Sequence, residues 1–241
     1  MELLVGILVK VLLFAFIAGM FTLVITISVR GRRQDARIRD EWEQMAQIAP
    51  ERGWTYHPCV RGQIDQYGGM GPIIYKGENQ AAWHYTTGEF RGRSFKYFEY
   101  RYKRSTADGD VNDFGEHRRL VIKSVFVVMA PGSGAYMEIL RRSKLGVLAD
   151  GRPGKRVEVP EFDKEFRVLA NDEAFFRNVL SGDVVPFMVA DTRAKKSPLR
   201  FRDNELITWY TGTLSPQAVD EKLNYLCDVL DRIPAQAWTA A

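Results

Sequence analysis

Apolar positions crowd the first thirty residues and then spread into periodic patterns. From Leu3 to Val29 the chain is almost purely apolar, and the stretch from Val11 to Val29 carries no charge. A helix needs about 20 such residues to cross a hydrocarbon core of about 30 Å. Residues 1–30 are therefore predicted to be a transmembrane anchor, with Lys10 at its edge placing its ammonium among headgroups. A cleaved signal fits less well: the run is too long, no A-x-A-like site follows, and the next residues are strongly basic. Arg30, Arg32, Arg33, Arg37 and Arg39 follow it. Such a flank stays cytoplasmic, which predicts an inner-membrane protein with its N-terminus outside and its large domain inside.

Residues 31–53 read as a basic juxtamembrane helix. Ile38, Trp42, Met45 and Ala49 make one narrow stripe, suited to docking on the chain's own domain or pairing with a second copy. Pro50 and Gly53 end it.

Residues 54–241 alternate between strand and helix periods. Trp54–Tyr56 is strand-like. Trp83–Phe90 and Arg93–Arg104 form a hairpin across Arg91-Gly92, with Phe98, Tyr100 and Tyr102 on one face and Phe95 and Tyr97 on the other. His117–Met129 is the clearest strand, apolar on both faces and suited to the middle of a sheet. Pro131–Gly134 reads as a turn before Tyr136–Leu140 resumes. Glu165–Leu169 is a short strand, Asn171 caps a helix stopped by Gly182, and Val184–Ala190 is a second short helix. Leu199–Arg202 and Glu205–Gly212 read as a hairpin across Asp203-Asn204. Ser215-Pro216 opens a last helix, whose stripe of Val219, Leu223, Leu226, Leu230 and Ile233 is set to pack on the sheet. The sum is one α+β domain on a mostly antiparallel sheet, with helices that include a C-terminal one.

Composition narrows the partners. The chain is 46% hydrophobic and 27% charged, which fits a folded domain. Its net charge of +4 is matched by the juxtamembrane arginines, so the domain itself is close to neutral. That weighs against a nucleic-acid binder, which would want a basic stripe on the domain itself. Lys10 and the five arginines are the expected membrane-surface contacts, open to anionic headgroups of the inner leaflet. Two cysteines far apart, Cys59 and Cys227, give no disulfide framework.

The run Gly88–Tyr102, the segment Phe162–Val168 with Asn171-Asp172-Glu173, and the close Arg232-Ile233-Pro234 with Trp238 resemble a family of uncharacterised membrane-anchored proteins of actinobacteria. The second half is also similar to the broader group called DUF3137. The resemblance implies a bacterial inner-membrane protein and no particular chemistry.

Residues able to carry chemistry are scattered. Arg91–Phe98 echoes the RNA-binding strand of RRM domains only in part, since Arg93 and Ser94 break the pattern. His57-Pro58-Cys59 supplies two metal ligands where zinc needs about four, so no metal site is expected. Gly68–Gly71 and Gly132–Gly134 lack the Walker residues and read as turns, and no cofactor is implied. Glu138, Glu158 and Glu161 form no acid–base pair by spacing. Arg141, Arg142 and Lys144 follow a strand, as a solvated face or a contact for anionic headgroups or a partner. The expected function is a membrane-tethered, non-enzymatic interaction or scaffold module with a membrane-protein partner or a homodimer. The alternative is a tethered enzyme on a lipid or envelope precursor, with its pocket near His84, His117 or the Gly-rich loops.

Overall fold

The computed structural model describes residues 19–20, 40, 42–61, 67, 78–103, 120–143 and 154–238. The chain divides into residues 1–43 and 44–241, and the folded architecture below belongs to the second unit. The predicted span from Leu3 to Val29 lies outside the described residues apart from Gly19 and Met20. Among the described residues no helix is long and apolar enough to cross a membrane.

Residues 42–51 are helical, and Met45 and Ala49 of the predicted stripe are fully buried. Those two positions thus pack within the second unit, while Ile38 of the stripe lies outside the described residues. Its end follows from Gly53, which takes φ +69°. Gly53 N donates to Pro50 O and Trp54 N to Ala49 O, the paired bonds that close a helix through a left-handed glycine.

Among the described residues six antiparallel strands follow: β1 Thr55–Arg61, β2 Glu78–Phe90, β3 Arg93–Lys103, β4 Leu120–Arg141, β5 Phe166–Ala170 and β6 Leu199–Thr211. Their order is β1-β2-β3-β4-β5, with β6 also on β4. The early half of β4 pairs with β3 and its late half with β5, while β6 accompanies both halves. The expected mixed fold with a mostly antiparallel sheet is therefore present. Pro58 is tolerated because β1 is an edge strand. Arg91 and Gly92 both take positive φ, 51° and 72°, the tight turn predicted for the β2–β3 hairpin.

Among the described residues the helices after β4 are α1 Pro160–Glu165, α2 Glu173–Leu180, α3 Val184–Ala190 and α4 Pro216–Leu230, with single 3-10 turns at Ala194–Lys196 and Ala235–Trp238. All four contribute to one core with Phe95, Tyr97, Phe126, Val128, Met137 and Phe201 of the sheet. The other sheet face carries Phe98, Tyr100, Val125, Val127, Ile207 and Trp209, with Tyr67 against them. The alternation predicted for β3 and early β4 thus holds on both faces.

Three local readings need correction. Pro131–Gly134 is no turn, and Asp203-Asn204 no hairpin: β4 and β6 each run through as one strand. Their register slips between Met129 and Met137, with Gly134 opposite Asp203 at φ +54°. Turn-forming residues here make a shared bulge that bends both strands while keeping them paired. The cap of α2 is Asp172, whose side chain accepts from Phe175 N, and Asn171 lies one residue before it. Helix α1 was not foreseen, since six residues are too few for a periodic signal.

Candidate functional site

Of the expected site residues, Lys10, Arg30, Arg32, Arg33, Arg37 and Arg39 lie outside the described residues, as do His117, Lys144 and Gly68–Gly71. His57 is exposed and Cys59 half-buried on β1. No group of three or more potential metal ligands occurs among the described residues. Gly132 and Gly134 serve packing. A Cβ at Gly132 would sit 2.8 Å from Trp238 Cβ, and one at Gly134 2.5 Å from Phe175 Cζ.

The remaining candidates gather in three places. The first is a polar cluster across β1, β2 and β3. The register of β2 on β3 slips between Trp83 and Thr86, and His84 takes φ +53° there. Tyr56 Oη and His84 Nδ1 lie 2.9 Å apart. Burial lowers the His84 pKa, with Glu99 opposing and Arg101 adding to the shift. Burial also raises that of Tyr56. Both side chains are thus neutral near pH 7. Glu99 is fully buried. It accepts from Leu214 N at 2.7 Å and from Arg101 Nη2 at 2.6 Å. Arg101 also stacks over Trp83, 4.6 Å from the ring centroid. These bonds join the sheet to the approach to α4.

The second place is on the opposite face of the sheet. Glu138 and Arg200 form a buried ion pair at 2.6 Å. Arg200 also lies 5.2 Å from the Trp209 ring. Nine residues of straight strand would separate those two by about 30 Å, so β6 must bend strongly at Asp203. Lys123, near the start of β4, has its pKa lowered to about 8 by burial and by the charge of Arg200.

The third place is the segment before α1, which two open cavities border. Gly154 takes φ +76°, and Lys155 N donates to Val168 O at 2.7 Å. Lys155 Nζ also pairs with Glu173. Asp163 of α1 accepts from Val157 N at 3.0 Å and Glu158 N at 3.1 Å, which fixes Glu158 at φ +65°. A non-glycine residue held in that region is a mark of an over-determined, often functional, segment. On one side lies a cleft of about 510 Å³ lined by Arg142, Arg156, Glu158, Pro160, Asp163 and Lys164. On the other lies a groove of about 510 Å³ whose walls include Val157, Val159, Leu180, Val185, Pro186 and Val189, with Glu161 among its lining. Two of the three scattered glutamates, and Arg142 of the basic trio, meet here. The sequence offered no sign of it, because the walls come from α1, α2, α3 and the end of β4.

Comparison with known protein families and with curated proteins finds no match. Among solved structures, the fold is similar to that described as the crystal structure of the mycobacterial trehalose monomycolate transport factor A, TtfA. The TM-score is 0.52 at 13% identity, covering 80% of this chain and 94% of that one. At that identity the likeness is one of fold, and it extends over nearly the whole of the neighbour.

Proposed function

We propose that this chain is a membrane-tethered, non-enzymatic interaction module of the cell envelope, serving the handling of an envelope lipid. The observation that carries the reading is the uncharged run Val11–Val29, closed by Arg30, Arg32 and Arg33 a short way before the buried Met45. A span so placed keeps the domain beside the bilayer and raises its effective concentration toward other membrane proteins. The arginine flank favours a cytoplasmic domain with the N-terminus outside, and contact of Lys10 and the arginines with anionic headgroups. Two further supports point to the envelope. One is the resemblance to membrane-anchored actinobacterial proteins. The other is the shared fold with a protein described as a trehalose monomycolate transport factor.

The test is cross-linking in intact cells followed by purification of the full chain and of a version lacking residues 1–33. The proposal expects a specific membrane protein with the full chain and its loss from the truncated one. Recovery of the same partners by both, or of no membrane partner by the full chain, contradicts it.

A further inference from the structure

We infer that the paired clefts around residues 156–161 bind a single anionic amphiphile, its acid headgroup in the basic cleft and its alkyl chain in the apolar groove. The two cavities share one wall. Arg156, Glu158 and Pro160 face the first, and Val157, Val159 and Glu161 the second. Alternation along an extended segment puts successive side chains on opposite sides, so a polar and an apolar site lie one backbone apart. Each volume falls within the range of about 300–1,000 Å³ typical of small-molecule sites.

Charge selects the headgroup. Arg142, Arg156 and Lys164 line the first cleft with two carboxylates. Both oxygens of Asp163 are taken by the amides of Val157 and Glu158. Arg142 donates to the Asp163 carbonyl and keeps its charge at the wall. Among the described residues, neither Arg156 nor Lys164 has an ion pair, and both are exposed. Three cations thus face Glu158 as the one carboxylate not held by backbone amides, which suits a phosphate or carboxylate. The second groove runs between Val157 and Val159 on one side and Val185, Pro186 and Val189 of α3 on the other, an apolar channel for a chain. The wall between them is held in place by Asp163, by Lys155 N on Val168 O and by the Lys155–Glu173 pair, so the site is built before the ligand arrives.

This deepens the tethered-module reading and rests on it for the supply of lipid. The test is photo-cross-linking of the full chain in phosphatidylcholine nanodiscs with a diazirine-bearing twelve-carbon fatty acid, the labelled peptides then mapped. An alcohol of the same length is the uncharged control. The inference expects the acid to label residues 154–164 and 180–190. It expects Arg156→Ala with Lys164→Ala to cut that labelling about tenfold while leaving the alcohol unchanged, and Val189→Asp to reduce both. Inorganic phosphate at the same concentration as the acid should not displace it, because phosphate lacks the chain that fills the groove. Arg156→Gln with Lys164→Gln repeats the test with side-chain bulk retained. Labelling elsewhere, labelling indifferent to the loss of both cations, or displacement by phosphate alone overturns the inference. Such a result with membrane partners still captured by the full chain leaves the tether standing, so the two failures are distinguishable.

Discussion

Glu138 and Arg200 sit on strands 62 positions apart in the chain, and both are almost wholly buried. Removing one partner of such a pair leaves a buried charge uncompensated, so Glu138→Ala should destabilise by about 3–5 kcal/mol. Glu138→Leu combined with Arg200→Met should recover most of that, as urea unfolding would read. Lys123 has the opposite character. Its folded pKa of about 8 lies below its ordinary value. The unfolded chain therefore binds more protons between about pH 8 and 10.5, and stability rises with pH across that window. Lys123→Met should flatten the rise and stabilise the protein at pH 7 by about 1–3 kcal/mol; an unchanged slope would contradict the assignment. At Gly134 a Cβ would press on Phe175, itself packed against Phe201 and Trp238. Gly134→Ala should cost about 1–3 kcal/mol. None of these pairings was legible in sequence: Glu138 and Arg200 meet as opposite residues of the β4–β6 ladder, and Gly134 meets Phe175 where a helix packs on the sheet. Glu138 read as a stray carboxylate and Gly134 as a turn residue.

Elements whose signals are local were legible. The stripe of α4 is buried throughout, from Val219 to Leu230. Its cap is as predicted, with Ser215 accepting from Ala218 N, and Ser215→Ala should cost about 1 kcal/mol in thermal unfolding. The Arg91-Gly92 turn was equally plain, but its further use was not. Arg91 pairs with Asp228 and Asp231, Arg93 with Asp231, and Arg193 with both Asp191 and Asp228. These ties clamp the β2–β3 hairpin and the turn at Ala194–Lys196 to the outer face of α4. Burial pushes Asp191 and Asp228 upward, yet bonds to Arg193, and for Asp228 also to Arg91, hold both below the ordinary range. A depressed carboxylate contributes stability above its unfolded pKa of about 4 and loses it as pH falls through the folded value. The urea midpoint should thus drop below about pH 4, and less steeply in Asp228→Asn. The bulges show where local reading fails. Gly, Pro, Asn and Asp serve a turn and a bulge alike, and only the partner strand decides between them.

At the scale of the whole molecule, the α+β class and the antiparallel sheet were legible from the order of strands and helices. The candidate site was not, since its walls combine loop and helix positions between residues 142 and 189 that share no periodic signal. The account of function rests on the apolar run and its arginines. Replacing Arg30, Arg32 and Arg33 by Asn should weaken or invert the orientation, seen as new protease access to the domain in sealed vesicles; unchanged protection would show that those arginines do not set it. The most direct measurement is alkaline carbonate extraction of membranes carrying either the full chain or a version lacking residues 1–33. The tether predicts the full chain in the pellet and the truncated one in the supernatant. A full chain released by carbonate, or a truncated chain that stays in the pellet, would contradict it.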